Sequence, residues 1–132
     1  MLDGLITLPS QFGPEETMGR LEIELRAKGM NIFARIDHAA GAREAGLELR
    51  PTEVIIFGNA RGGTPLMQSA QTAGIDLPLK ALVWQDETNK TWISYNEPSW
   101  IGARHGLTNV DPFINKMSGM LRAVTSKVAN VQ

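Results

Sequence analysis

Both histidines of the chain lie beside a charged residue, in the pairs Asp37-His38 and Arg104-His105. A carboxylate next to an imidazole fixes its tautomer and raises its basicity, which suits general acid-base catalysis. Asp37, His38 and His105 are therefore candidate catalytic residues if the fold brings them together. Each histidine also has a structural interpretation: His38 could bond backbone groups at the end of a strand, and His105 could occupy the C-terminal end of a helix.

A second candidate site is the glycine-rich segment 58–64, which follows the apolar run 54–57. A strand that leads through glycines into a helix N-terminus offers backbone N–H groups and a positive dipole end to an anion. Arg61 could add a guanidinium for a phosphate or a carboxylate. Thr64-Pro65 replaces the Lys-Ser/Thr pair of a nucleotide-binding loop, so a nucleoside triphosphate is not expected, and the glycines could serve only the turn. The candidate ligand-binding residues are Asn59, Arg61, Gly62, Gly63 and Thr64.

Several kinds of chemistry lack their residues in this sequence. There is no cysteine, which removes disulfides, thiolate metal sites and a cysteine nucleophile. The two histidines show no short ligand spacing, so neither a metal nor another cofactor is expected. No serine stands in Gly-x-Ser-x-Gly or Ser-x-x-Lys, so a serine hydrolase is not supported. A non-enzymatic protein is favoured over an enzyme.

Length and charge limit the partners. The 132 residues fit a single domain, 1–132, large enough for a core of its own. The 13 basic and 14 acidic side chains give a formal net charge of -1 without a basic run, so nucleic-acid binding is not expected. The longest apolar runs are about four residues, against about 20 for a membrane span. Without a basic segment and an apolar core at its start, the chain is expected in the cytoplasm, although a trimmed segment would look the same.

Periodicity and helix-end signals predict an α+β fold with the order β-α-β4-α and short helical insertions. The sheet is expected to be mainly antiparallel, with the helices packed on one face. The predicted elements are strand 5–8, ended by Pro9; helix 14–28; strand 30–36; a helical turn at 38–45; strand 52–57; a helix from Thr64 to Gly74; a hairpin of strands 79–85 and 91–95; a helical turn at Trp100; and a final helix capped by Asp111 with an apolar stripe from Phe113 to Val128.

The second face of such a sheet needs polar side chains or another subunit. The nearly continuous apolar run 52–57 predicts a central strand that is covered on both faces. Phe33, Trp84, Trp92 and Tyr95 lie on predicted strands and could form a subunit contact. A homodimer is the expected assembly.

Short motifs along nearly the whole chain resemble a known family. They are Ile36-Asp37-His38-Ala39-Ala40, Ile56-Phe57-Gly58-Asn59, Gly63-Thr64, Leu66-Met67, Asp76-Leu77-Pro78 and the strand 92–95 that leads to Pro98. In this order they resemble the domain of unknown function family 302, DUF302. The resemblance implies the β-α-β4-α fold and no assigned activity. One departure is Ala60, which stands where the family commonly has proline.

Together these features favour a homodimeric, non-enzymatic binding module for a small anionic metabolite. Its expected site gathers Asn59, Arg61 and Thr64 with His38 and His105. Two alternatives stay open: an acid-base enzyme that uses Asp37, His38 and His105, and a purely structural dimer that serves protein interactions.

Overall fold

A computed structural model describes residues 2–130 of the chain. The elements are β1 (Leu5–Ser10), α1 (Pro14–Ala27), β2 (Asn31–Asp37), α2 (His38–Glu44), β3 (Thr52–Gly58), α3 (Ala60–Ser69), a 3-10 helix (Gln71–Ile75), β4 (Leu79–Gln85), β5 (Thr91–Asn96), α4 (Pro98–His105) and α5 (Asp111–Ala129). The predicted β-α-β4-α order with short helical insertions is confirmed.

The five strands form one antiparallel sheet in the order β1-β5-β4-β3-β2. The α+β class and the antiparallel sheet are confirmed. The apolar strand β3 is paired on both sides, but β4 is the middle strand. Val54 and Ile56 of β3 are only half-buried, so the predicted cover on both faces of this strand is incomplete.

One face of the sheet packs against α1 and α5, and α3 and α4 complete the layer. Strand residues alternate between the faces, while the helices present apolar residues three and four positions apart. The large side chains at the centre of the core are at most 1% exposed and come from the helices (Met18, Leu21, Leu25, Leu66, Ile101, Leu121, Val124 and Val128) and from the strands (Ile55, Phe57, Val83 and Ile93). These four helices lie on one face, as predicted.

Several predicted boundaries were wrong. The helix predicted to end at Gly74 ends at Ser69, and the 3-10 helix Gln71–Ile75 follows it. Pro9 does not end β1, which continues to Ser10. Because β1 is an edge strand, a proline there can direct its ring nitrogen away from the ladder without breaking it. Asp111 is the first residue of α5 and not its cap, since Val110 holds the cap position.

The aromatic residues predicted to meet a second subunit do not share one surface. Tyr95 belongs to the core and is 5% exposed. Phe33 is exposed beside the segment where β3 leads into α3. Trp84 and Trp92 lie on the face away from α1 and α5, with their ring centroids 6.0 Å apart. Only the two tryptophans mark the sheet surface that the helices leave open.

Candidate functional site

A groove of about 920 Å³ opens where β3 leads into α3. One wall is formed by residues 58–64, and the opposite wall by the N-terminal half of α5. The end of α1, the start of β2 and the segment 77–79 before and at the start of β4 close its remaining sides. Its volume is within the usual range for small-molecule sites.

The glycine-rich wall is helical, not a loop. The Asn59 side chain accepts a hydrogen bond from the Gly62 N–H at 3.0 Å, and the Asn59 carbonyl accepts one from the Gly63 N–H at 3.1 Å. Asn59 is thus the N-cap of α3, which begins at Ala60, and the predicted start at Thr64 was four residues late. Since Asn59 already binds these two N–H groups, they are not free to form the expected anion cradle.

Ala60, the departure from the family pattern, occupies the first position of α3. Proline is favoured at this position because its fixed φ suits the helix and its missing N–H would have no partner in the helix. Alanine also fits there, as the best helix former. The start of α3 therefore does not require a proline at position 60.

The lining of the groove is mainly apolar. Met67, Met117 and Met120 are half-buried side chains from α3 and α5, and Phe113 is 37% exposed at the start of α5. Met30 extends the apolar surface toward β2. Methionine is unbranched and polarisable, so a lining of this kind adapts to apolar groups of different shape.

Three cationic side chains line the same groove: Lys28 at the end of α1, Arg61 in the first turn of α3 and Lys116 on α5. All three are exposed, and none forms an ion pair or a side-chain hydrogen bond with another residue between 2 and 130. No aspartate or glutamate of that part of the chain is among the lining residues. The groove therefore combines an apolar interior with uncompensated positive charge, which attracts an anion.

His38 and His105 lie at opposite ends of the sheet. Asp76, the partner of His105, lies just before Leu79 at the start of β4. Leu79 pairs with Phe57 of β3, which pairs with Ile32 near the start of β2. His38 follows the opposite end of β2, and the strand from Ile32 to Asp37 spans about 17 Å at about 3.3 Å per residue. The structure does not bring the two imidazoles together.

Asp37 acts on the backbone of α2. Its carboxylate accepts a hydrogen bond from the Ala40 N–H at 2.9 Å and so caps the helix that begins at His38. No side-chain hydrogen bond joins Asp37 to His38 in the described part of the chain. The orientation of an imidazole by Asp37, expected for the acid-base alternative, is not formed.

His105 belongs to a polar cluster with Thr72, Asp76 and Arg104. Its Nε2 lies 2.6 Å from Asp76 Oδ2, and its Nδ1 lies 2.9 Å from Thr72 Oγ1. Arg104 Nη1 lies 2.9 and 2.8 Å from the two Asp76 oxygens. Burial raises the pKa of Asp76, but the hydrogen bond with His105 and the charge of Arg104 outweigh it, so this pKa is below its usual value. The cluster joins α4 to the segment before β4 and does not line the groove.

A sequence profile described as "Domain of unknown function DUF302" matches residues 6–124. The chain belongs to the DUF302 family. The predicted family is thereby confirmed. The fold of this DUF302 domain is also that of a solved structure, titled "Crystal structure of uncharacterized conserved protein DUF302 from Bacillus stearothermophilus". The TM-score is 0.86 at 20% identity, covering 96% of this chain and 99% of that one.

Curated relatives of this DUF302 domain carry another name. Fluoride-specific ion channel FluC 1 of Brucella suis is 50% identical over 104 residues, which are 79% of this chain and 41% of the relative. Fluoride-specific ion channel FluC 2 of Brucella melitensis is also 50% identical over 104 residues, 38% of its length. The chain thus spans about two-fifths of the curated relatives it matches. Within residues 2–130, no helix is long and apolar enough to cross a membrane.

The DUF302 domain places all five sequence-predicted ligand residues on one groove: Asn59, Arg61, Gly62, Gly63 and Thr64. Sequence reasoning missed the opposite wall on α5, because its members belong to a stripe that also contains true core residues. Position along the helix gave no signal either, since Ile114 in the same half of α5 is a core residue that is 8% exposed. For metals, no cluster of three or more His, Cys, Asp or Glu side chains occurs in the part of the chain that was described.

Asp76→Asn is expected to lower the free energy of unfolding at pH 7 by about 1–3 kcal/mol, because His105 and Arg104 lose a charged acceptor. The pKa of Asp76 is lowered from 3.8 in the folded state, so its contribution is complete above that value and is lost as the pH falls through the folded-state pKa. Urea unfolding measures the difference in the free energy of unfolding between Asp76→Asn and the native protein. This difference should be large at neutral pH and small at strongly acidic pH. Asp3→Asn, at an exposed carboxylate, is the control. A difference of equal size at both pH values would contradict the ion pair.

Proposed function

We propose that the protein is a non-enzymatic binding module for a small organic anion with an apolar body. The observation that carries this proposal is the meeting of an apolar groove with three uncompensated cations, Lys28, Arg61 and Lys116. The proposed module acts in the cytoplasm and binds no nucleic acid, in keeping with its balanced charge.

The two parts of the groove have separate roles in this proposal. Burial of an apolar ligand group against Met67, Met117 and Phe113 contributes about 0.8 kcal/mol per methylene. Lys28, Arg61 and Lys116, which we call the cationic rim, favour a negatively charged ligand. Arg61 can bind a carboxylate or a phosphate with two parallel hydrogen bonds. A small polar anion would gain only the second contribution.

The fluoride named for the Brucella relatives is not the ligand proposed here. Fluoride is a small, strongly hydrated ion, and a groove of about 920 Å³ with methionine walls and exposed cations is too wide to surround it in place of its water shell. The relatives are more than twice as long as the matched segment, so the activity in their name can belong to the part of their sequence that lies outside the match. In a longer protein of that kind, we propose that this domain supplies a site for an organic anion.

The acid-base alternative has no comparable support. It requires His38 and His105 to act on one bound molecule, and they lie at opposite ends of the sheet. Both oxygens of Asp76, the carboxylate that contacts His105, already bind Arg104. The groove, by contrast, is formed by residues of one chain and needs no second copy.

The test is a thermal-shift measurement with octanoate and naphthoate, against acetate and inorganic phosphate as small anions. A ligand at a hundred times its dissociation constant stabilises by about 2.7 kcal/mol, which raises Tm by several degrees in a domain of this size. We expect octanoate or naphthoate to raise Tm and the small anions to have little effect. Arg61→Ala should lose most of the shift, because it removes a cation from the rim.

Arg43→Ala is the matched control, since Arg43 is an exposed cation on α2 that does not line the groove. This variant should keep the full shift. The proposal is contradicted if neither large anion raises Tm, or if Arg61→Ala and Arg43→Ala respond alike.

A further inference from the structure

The sheet face away from α1 and α5 carries an apolar surface, which we call the open face. The strand register places on it residues that alternate with the core residues, so that Val54, Leu82 and Ser94 stand in one row across the middle of the sheet. Most of its large apolar members are half-buried: Leu5, Val54, Ile56, Leu82, Trp84 and Trp92. Ile36, which pairs with Val54 from the edge strand β2, is 44% exposed. A shallow depression of about 330 Å³ lies among Leu5, Val54, Leu82 and Trp84.

The charges near the open face lie at its margins. At the hairpin end, Lys90 Nζ lies 4.6 Å from the centroid of the Trp92 ring, and Trp92 Nε1 donates to Asp86 Oδ2 at 2.8 Å. Among the residues that the described strands direct to it, Lys80 is the one charged side chain. Its Nζ donates to the carbonyls of Pro78 at 3.0 Å and Asp76 at 3.4 Å, so the amine turns toward the start of β4. Charge depletion and enrichment in tryptophan are typical of the centre of a protein interface and not of a solvent-exposed sheet.

The polar atoms near the centre of the open face bind one another. Trp84 Nε1 donates to Ser94 Oγ at 2.9 Å, and Thr7 Oγ1 lies 2.8 Å from the same oxygen. These groups can be covered without needing new partners, which removes the main cost of burying them. The surface is thus prepared for an apolar contact that supplies no specific hydrogen bonds.

The size of the open face suits a second copy of the chain. Five strands about 4.8 Å apart, each of about seven residues, give roughly 500 Å² per copy and roughly 1,000 Å² for two copies. A specific interface needs about 1,000 Å² in total. A two-fold contact joins a surface to itself. The centre of the open face carries no charge, and Lys90 and Asp86 at its margin have opposite charges, so the open face does not repel its own copy.

We propose that two copies of this chain pack through their open faces, with Leu82 and Trp84 of β4 at the centre. Sheets pack face to face about 10 Å apart, so the alternate apolar side chains of the two copies interdigitate in this arrangement. The groove is lined by the residues of the helix layer and the sheet end, so both ligand sites of the dimer stay open.

The experiment uses the absence of cysteine in the native chain. Leu82→Cys places a single thiol at the centre of the open face, and Ile23→Cys places one on α1, where Ile23 is 67% exposed. Each purified variant is treated with a short bis-maleimide, and sedimentation velocity of the native protein gives its mass. We expect a native dimer and a cross-linked fraction several-fold higher for Leu82→Cys than for Ile23→Cys.

Three results would overturn the proposal. A native protein that sediments as a monomer would leave the open face to a different partner, such as the remainder of a longer protein. A native dimer in which Leu82→Cys fails to cross-link would place the interface elsewhere. Equal cross-linking of the two variants would show that collision, and not a fixed contact, joins the thiols.

Discussion

Phe57→Ala should lower the free energy of unfolding by about 3–5 kcal/mol, the usual cost of removing a buried phenylalanine from a core. Phe57 is 0% exposed, and in the sheet it pairs with Leu79 of β4 and Ile32 of β2. The core residues around it belong to both α1 and the sheet, so the cavity cannot close without moving several elements. Since domains of this size have about 5–15 kcal/mol of stability, the variant should unfold at a much lower urea concentration.

Phe33→Ala is the matched control for this prediction. Phe33 is 58% exposed on β2, so its removal should cost less than about 1 kcal/mol. Chemical denaturation of both variants measures the difference. Equal losses of stability would mean that Phe57 is not the centre of the core.

Gly4→Ala should be the second strongly destabilising change, at about 2–4 kcal/mol. Gly4 has φ of 75°, where a side chain costs about 1–2 kcal/mol. A methyl group there would lie 2.2 Å from Cγ of Trp100, so the indole would also have to move. The Gly4 carbonyl accepts the Glu97 N–H at 2.7 Å, which fixes the approach of the N-terminal segment to α4.

Gly119→Ala is the control that tests whether the loss of stability in Gly4→Ala comes from the contact of Gly4 with Trp100. Gly119 lies within α5, and an added Cβ would meet nothing within 4 Å. Alanine there should raise the free energy of unfolding by about 0.5–1 kcal/mol, because glycine is a poor helix former. Urea unfolding that shows Gly4→Ala to be as stable as the native protein would contradict the close contact with Trp100.

The elements with strong local signals were predictable from the sequence. The proline start and glycine stop of α1, and the two strands around residues 86–90, depend on residues close together in the chain. The start of α3 was misplaced because glycines at 62 and 63 suggest a loop. The Asn59 side chain overrides that tendency by capping the helix.

The site was predictable on one side only. Residues 58–64 combine a strand end, glycines and an arginine, and this local pattern was sufficient to select them. Lys116 and Met117 meet them from more than 50 residues further along the chain, and this meeting depends on how α5 crosses the sheet. In sequence, Met117 is indistinguishable from Leu121, which is 1% exposed in the core.

The pairing of His105 with Asp76 was not predictable from neighbouring residues, because it too depends on how distant elements meet in space. Asp76 and His105 are 29 residues apart, and Asp76 precedes a Leu-Pro pair, where an aspartate commonly binds the backbone of a turn. The structure directs its carboxylate to His105 and Arg104 instead. Such a pairing becomes visible only when α4 and the segment before β4 are placed in space.

The most direct test of the proposed ligand groove is an NMR titration with octanoate of protein that carries isotope-labelled methionine methyl groups. Met30, Met67, Met117 and Met120 line the groove, and Met18 is 0% exposed in the core as an internal control. If octanoate binds in the groove, the four groove signals shift along one saturating curve while the Met18 signal stays in place. Unchanged groove signals, or a Met18 shift as large as theirs, would contradict the proposal.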